Sequence, residues 1–122
     1  MYYKVFNNSK IPKALSIFIN IHAITIGPWI FCKGVINEST LRHERVHVLQ
    51  WKECLYIGFL PVYIMDWIKG ILVEKKTSRD AYRDIRMERE ARLANHDENY
   101  LQQRKPFAWR NLDGGDENGQ GI

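Results

Sequence analysis

The segment "LRHERVHVLQW", residues 41–51, contains the most reactive grouping in the chain: His43 and Glu44, followed by His47. On an α-helix, residues four apart lie about 40° apart around the axis and about 6 Å along it, so both imidazoles can reach one metal ion. Zinc accepts imidazole nitrogens at about 2.0–2.1 Å. Glu44 lies at the edge of the same face, where its carboxylate could act as a base on an activated water. The pattern predicts Zn2+ chemistry with His43 and His47 as ligands and Glu44 as general base.

A catalytic zinc site also needs a third protein ligand and an open position for water. No further histidine follows His47 at a suitable spacing, so a glutamate on a second helix is the better candidate. The segment "RMEREAR", residues 86–92, offers Glu88 and Glu90, which lie about 200° apart on a helix, so only one can face the metal. Small Ala91 marks the close-packed side, and Glu88 shares that side. We therefore predict Glu88 as the third ligand, with Glu90 as the alternative.

The histidine motif must begin a helix for this geometry to hold. Ser39 or Thr40 is expected to cap a helix over about residues 40–56, because a hydroxyl can accept a bond from an early helical N–H. Gln50, three residues past His47, would then lie on the same side of the helix. It could hydrogen-bond to a ligand and orient it.

The N-terminal part of the chain predicts strands. Residues 14–26 are rich in β-branched side chains and partly alternate, Gly27 and Pro28 then break the run, and residues 29–36 form a second short strand candidate. We expect an α+β fold in which a short N-terminal sheet packs on the histidine helix and on a C-terminal helix that carries the glutamate.

A long final helix is expected over about residues 78–103, capped by Thr77 or Ser78 and stopped by Pro106. Basic and acidic side chains interleave along it. The bases are Arg79, Arg83, Arg86, Arg89 and Arg92, and the acids are Asp80, Asp84, Glu88 and Glu90. This alternation predicts a solvated, salt-bridged helix and argues against a nucleic-acid-binding stripe.

Residues 55–73, "LYIGFLPVYIMDWIKGILV", are the most hydrophobic segment of the chain. Their number is close to a bilayer span of roughly 20 residues. Pro61, Asp66 and Lys69 interrupt the segment, and Asp66 would be costly in lipid. We expect a loop followed by a buried core helix, with membrane contact through this segment as the alternative.

The bulk composition bounds the remaining possibilities. The chain has 122 residues with 45% hydrophobic and 26% charged side chains, which indicates one globular domain over residues 1–112. The acidic, glycine-rich residues 113–122 are expected to be a disordered tail. The net charge of +4 is too small to indicate a nucleic-acid partner, and two cysteines do not make a disulfide framework. No signal-peptide pattern is present, so we expect a cytoplasmic protein, made inside a host cell if it is viral.

The motif segments together resemble a group of very small gluzincin-type zinc proteins. Those proteins carry a threonine-glycine-like strand turn, then HExxHxxQ, then a glutamate-x-glutamate-alanine signature. Here "AITIGPWIF", "TLRHERVHVLQW" and "AYRDIRMEREAR" hold these places. The resemblance covers about residues 20–95 and implies a small zincin-like domain around one zinc. It implies His43 and His47 as ligands, Glu44 as general base and Glu88 as third ligand.

The chain departs from this family's pattern at two positions. Arg86 stands where such proteins usually have a proline, and Arg92 stands where larger gluzincins place an aspartate that orients a histidine. Neither change removes a ligand, but the histidines must be oriented by other side chains.

We therefore expect a small zinc endopeptidase acting on peptide or protein substrates. Its oxyanion donor would be one of four side chains: Tyr82, Arg42, Arg83 or Arg92. An extended substrate could add to an exposed edge strand around residues 21–32. One alternative is a zinc domain of the same fold without catalysis. Another is a basic module without metal that binds membrane or nucleic acid through residues 55–92. The oligomeric state is left open.

Overall fold

The computed structural model describes residues 3–11 and 23–112, and the described chain has an α+β fold. Three strands form one sheet: β1 (Lys4–Phe6), β2 (Ala23–Ile26) and β3 (Trp29–Cys32). Five helices follow: α1 (Glu38–Glu53), α2 (Phe59–Leu72), α3 (Ser78–Arg83), α4 (Arg86–His96) and α5 (Tyr100–Gln103). A single 3-10 turn, Ala108–Asn111, comes last in the described part. The α+β expectation is confirmed. The expected tail, residues 113–122, lies outside the described residues.

The described sheet has the order β1-β3-β2, with β3 parallel to β1 and antiparallel to β2. A two-residue turn joins β2 to β3, and its first residue, Gly27, has a φ of +61°, which glycine adopts without a Cβ penalty. Of the strand expected over 14–26, residues 14–22 lie outside the described residues, and 23–26 form β2. The second strand is shorter than expected and ends at Cys32.

Helix α1 begins earlier than the sequence pattern indicated and ends earlier too. Asn37 is the N-cap, because its side-chain oxygen accepts the Thr40 N–H at 2.8 Å, so the predicted Ser39 or Thr40 cap is wrong. The helix ends at Glu53 rather than near residue 56, because Leu55 and Tyr56 both adopt left-handed backbone conformations.

Helix α2 covers most of the hydrophobic segment, but it is not the buried core helix that we expected. Only Phe59 and Gly70 are buried along its length. Gly70 lies where α2 approaches α3, and a Cβ at this position would lie 2.8 Å from the Cβ of Ala81. Among the described residues, no helix combines the length and apolar character needed to cross a bilayer.

The single long helix predicted over residues 78–103 is wrong, because the chain breaks it twice into α3, α4 and α5. Thr77 does cap α3, accepting the Asp80 N–H at 3.1 Å. The first break follows from a tertiary contact: Asp66 on α2 accepts the Arg86 N–H at 3.1 Å and also binds the Arg86 guanidinium, so it caps α4 at its start. At the second break, Asp97 has an extended backbone.

Helices α1 and α4 pack directly on each other, and this contact positions the site. Val46 of α1 and Ala91 and Ala94 of α4 are fully buried together. Ala91 therefore marks the close-packed side, as expected, and Ala94 shares it. Glu88, Arg89 and Glu90 are also buried, so the prediction of a solvated face is wrong for this part of α4. The larger core cluster contains Trp51, Phe59, Ile85, Met87 and Trp109.

Candidate metal centre

Three side chains predicted as ligands meet between α1 and α4. Nε2 of His43 lies 3.3 Å from Oε1 of Glu88, and Nε2 of His47 lies 3.1 Å from Oε2 of the same carboxylate. One donor atom from each residue fits within a 4.8 Å group, so the three could hold one metal ion. Bonds of about 2.0–2.1 Å around a tetrahedral ion separate neighbouring donors by about 3.3 Å, which both measured distances approach. Each histidine nitrogen is therefore about one such spacing from a different Glu88 oxygen, and the three donors as a set lie within 4.8 Å of one another.

Gln50 orients the His47 ring. Its Oε1 lies 2.7 Å from Nδ1 of His47, and its Nε2 donates to the Met87 carbonyl and to Glu90. Because the Met87 carbonyl only accepts, the amide orientation is determined and Oε1 must face the ring. Nδ1 of His47 therefore carries a proton, and Nε2 is the atom left for a metal. This is the orienting role predicted for Gln50.

Asn95 orients the His43 ring in the same way. Its Oδ1 lies 2.6 Å from Nδ1 of His43, while its Nδ2 donates to the Ser39 carbonyl and hydroxyl. The amide again has only one possible orientation, so Nδ1 of His43 is the proton donor. Asn95 lies three residues after Arg92. Arg92 is the residue that stands where larger gluzincins have an aspartate. Sequence reasoning missed Asn95, and no local pattern in the chain would have singled it out.

Glu90, the alternative ligand, points away from the histidines. Its fully buried carboxylate accepts hydrogen bonds from Gln50, from the Tyr100 hydroxyl and from the Arg104 guanidinium. Arg104 also binds Glu53 on α1. Glu90 therefore helps to fix the Gln50 amide by accepting its N–H. Of the two glutamates, only Glu88 contacts the histidines.

Burial and charge together set the ionisation of the cluster. Burial would lower the pKa of His47, but the charge and hydrogen bond of Glu88, together with the charge of Glu44, raise that pKa to about 9. Burial would raise the pKa of Glu88, yet the charges and hydrogen bonds of His47 and His43 hold it well below its usual range. Near neutral pH, a metal ion must therefore displace the Nε2 proton of His47.

Glu44 lies beside the three-residue cluster, and Thr25 holds one of its carboxylate oxygens. The Thr25 hydroxyl of β2 donates to Oε1 of Glu44 at 2.8 Å and to its backbone carbonyl at 3.2 Å. The second carboxylate oxygen, Oε2, lies 3.9 Å from Nε2 of His43. Glu44 thus places its second oxygen on the side of the donor atoms. Thr25 was not predicted as a site residue, although the resemblance placed a threonine-glycine turn here.

Two tyrosines complete the surroundings of Glu88. The Tyr63 hydroxyl of α2 donates to Oε2 of Glu88 at 2.5 Å, and its ring lies 6.5 Å from that of Tyr82, centroid to centroid. Burial, followed by the charge of Glu88, raises the pKa of both hydroxyls, and the charge of Glu44 adds to this effect at Tyr82. Both therefore stay protonated donors. Sequence reasoning named Tyr82 but missed Tyr63, which lay inside the hydrophobic segment.

The other predicted groups lie elsewhere. The Arg42 guanidinium donates to the carbonyls of Ala94 and Asn95, and Arg83 is exposed on α3. Arg92 is half-buried on α4. Of the strand candidates, β3 is central in the described sheet and β2 is at its edge, so only the β2 part of the expected edge, residues 21–32, could accept an added strand there.

The site opens on the side of His43, whose side chain is 16% exposed, against 6% for His47 and for Glu88.

Comparisons of the chain with protein-family models, with curated proteins and with solved structures found no match.

Proposed function

We propose that the protein is a zinc-dependent hydrolase, and specifically a small endopeptidase. One observation carries the proposal: the Nε2 atoms of His43 and His47 converge on the Glu88 carboxylate while both Nδ1 atoms are held by amide oxygens. Metal-binding histidines typically donate their other ring N–H to an acceptor that determines the tautomer, as both rings do here. If the cluster were only a buried ion pair of one histidine with Glu88, the ring of the other histidine would not need an acceptor at Nδ1.

The donor set favours zinc over other ions. Two imidazole nitrogens and one carboxylate oxygen are the ligands of a class of catalytic zinc sites, whereas calcium and magnesium select oxygen donors. Within residues 3–11 and 23–112 the cluster has three protein donors, which leaves a fourth position for water or substrate. When bound, zinc supplies a Lewis acid that polarises a carbonyl and lowers the pKa of water to about 7.

Glu44 is the proposed general base. Its Oε2 lies on the side of the donor atoms, so it can take a proton from the attacking water and later deliver it to the leaving amine. The Thr25 hydroxyl holds the other oxygen and so restricts the rotation of the carboxylate. Tyr82 is the proposed donor to the developing oxyanion, because its hydroxyl stays protonated beside Glu44 and Glu88.

An extended peptide is the proposed substrate. The β2 strand carries Thr25 beside Glu44, and its outer edge has no partner strand among the described residues. A peptide added to that edge would form backbone hydrogen bonds and run past the base. The same placement of a strand edge and two motif helices supports the proposal of a zincin-like fold and of membership in the small gluzincin-type group.

Zinc content tests the metal site directly. After reconstitution and removal of loosely bound ions, elemental analysis should find about one zinc per chain in the unmodified protein. Glu88→Gln should lose it, because the carboxylate charge is removed from between the histidines. Glu90→Gln is the matched control and should keep it, because an amide at 90 still accepts from Gln50. Absence of zinc from the unmodified protein, or equal zinc in both variants, would refute the site.

Glu44→Gln separates catalysis from metal binding. It should keep zinc and lose hydrolysis of a mixed peptide library, with a fall of about 100-fold or more expected for a missing general base. Zinc retained without any hydrolysis by the unmodified protein would instead favour the second candidate, a domain of the same fold in which the metal links α1 to α4.

A further inference from the structure

The outer face of α2 is an exposed apolar stripe. Its members are Leu60, Ile64, Met65, Ile68 and Leu72, which are between 43% and 69% exposed. Four of them recur every fourth residue, and each step of four rotates by only about 40°, so they form one continuous row along the helix. A row of large apolar side chains left in water is costly and marks a binding surface.

The stripe continues into the loop that precedes α2. Leu55 and Ile57 are 79% and 87% exposed, and Leu55 and Tyr56 both have left-handed backbone conformations. Such conformations cost energy in residues other than glycine, asparagine and aspartate. Backbone hydrogen bonds hold the loop in this form, with the Tyr56 N–H donating to the Trp51 carbonyl at 2.8 Å and the Gly58 N–H to the Cys54 carbonyl at 2.9 Å. We call the five stripe residues together with Leu55 and Ile57 the apolar surface.

The inner face of α2 belongs to the protein. Phe59 lies in the core, and the Tyr63 hydroxyl donates to Glu88. Asp66, whose charge would be costly in lipid, points inward and forms a bidentate ion pair with Arg86. The apolar surface therefore contains no acid.

The charges around the apolar surface are basic. Lys52, Lys69 and Lys75 are exposed, and Lys69 follows Met65 by four residues, so it borders the stripe. Between residues 52 and 76 the exposed acid is Glu74, which pairs with Lys76 at 2.8 Å. The surroundings of the apolar surface thus have an excess of positive charge that favours an anionic partner.

We propose that the apolar surface binds the interface of an anionic lipid bilayer, with α2 lying in the membrane plane. A helix with an apolar stripe bordered by lysine is typical of interfacial membrane binding, in which apolar side chains enter the acyl boundary and the bases meet lipid phosphates. A second copy of the chain is a less suitable partner than an anionic bilayer. In a two-fold interface, the exposed Lys52, Lys69 and Lys75 of one copy would lie near the same lysines of the other, and the like charges would repel. The binding requires no metal, so this inference stands apart from the proposed hydrolysis.

Co-sedimentation of the whole chain with large vesicles tests the proposal. The protein should bind vesicles of phosphatidylcholine and phosphatidylglycerol in equal parts, and should bind phosphatidylcholine alone more weakly. The double variant Ile64→Ser with Ile68→Ser should lower the partition by about tenfold or more, because two apolar side chains no longer enter lipid. Both positions are exposed, so the fold should be unaffected, which a thermal melt verifies.

Two further variants sharpen the result. Val35→Ser removes an apolar side chain outside the apolar surface that is 75% exposed, more than Ile64 at 44% or Ile68 at 43%, and it should leave binding unchanged. Lys69→Gln should weaken binding to the anionic vesicles alone. The proposal is overturned if neither vesicle binds the unmodified protein. It is also overturned if sedimentation velocity shows a dimer that the Ile64→Ser, Ile68→Ser variant dissociates, since the surface would then cover a second copy. Zinc content and hydrolysis are measured separately, so either result leaves the test of the metal site intact.

Discussion

Oε1 of Gln50 lies 2.7 Å from Nδ1 of His47, one helical turn earlier on α1, while the other end of the same amide is anchored by the Met87 carbonyl and by Glu90. Gln50 is fully buried, and its side-chain amide makes these three hydrogen bonds to described residues. A single side chain thus joins the ring of a candidate ligand on α1 to the backbone of α4.

Gln50→Leu is expected to weaken zinc binding by about 10- to 100-fold, the range found when a group that orients a metal-binding histidine is removed. The His47 ring would lose the acceptor that determines its tautomer, while leucine keeps the volume of the buried side chain. Competition with a chromophoric chelator measures the affinity. Gln103→Leu, on the exposed side of α5, is the control and should match the unmodified protein. Equal affinity in the two variants would show that Gln50 is only a packing residue.

Thr25→Val should impair turnover without removing the metal. Valine has a similar shape but lacks the hydroxyl that donates to Oε1 of Glu44, so the carboxylate is free to rotate away. One such hydrogen bond is worth about 1.5–3 kcal/mol when the acceptor is charged, so kcat should fall about 10- to 100-fold with KM and zinc content unchanged. Steady-state kinetics with Thr40→Val as control measure this. A change confined to KM would argue against a positioning role for Thr25.

The stability of the metal-free protein should depend on pH through the same cluster. His47 has a pKa of about 9 when folded, raised from 6.5, so its contribution is fully present below about pH 6.5 and is lost as pH rises through 9. Glu88 has a lowered pKa, so its contribution is present above 4.5 and is lost as pH falls. Urea denaturation in the presence of a chelator should therefore give the largest free energy of unfolding between about pH 4.5 and 6.5. In His47→Gln, the decline between pH 6.5 and 9 should disappear.

Zinc binding should release protons, since the metal takes the place of the Nε2 proton of His47. Below pH 9 the apparent affinity should rise about tenfold for each pH unit from this residue. Calorimetry at one pH in two buffers of different ionisation enthalpy counts the protons released. Binding that releases no proton at neutral pH would contradict the assignment of His47 as a ligand.

Gly70→Ala should destabilise the protein by about 1–3 kcal/mol despite the better helix propensity of alanine, because overpacking forces the backbones apart. The added Cβ would lie 2.8 Å from the Cβ of Ala81, where neither helix has a flexible side chain to move. Gly34→Ala is the matched control, since a Cβ there meets nothing within 4 Å. Thermal denaturation of the two variants compares them. A Gly70→Ala protein as stable as the control would show that α2 and α3 can separate at no cost.

Local patterns in the sequence predicted the groups whose geometry depends on one helix. The four-residue spacing of His43 and His47, and the shared side of Glu88 and Ala91, follow from helical periodicity alone, and the structure brings these side chains together. The α+β class and the Thr77 cap were predicted for the same reason, since both depend on neighbours in the chain.

Contacts between distant residues account for the rest, and no periodicity encodes them. Asn95 meets His43 across 52 residues, and Thr25 meets Glu44 across 19. Asp66 of α2 caps α4 from 20 residues away and so interrupts a stretch whose helix propensity favours continuity. The outer face of α2 is exposed because the core is completed by the aromatic residues of its inner face, an outcome that depends on which surfaces α1 and α4 leave free.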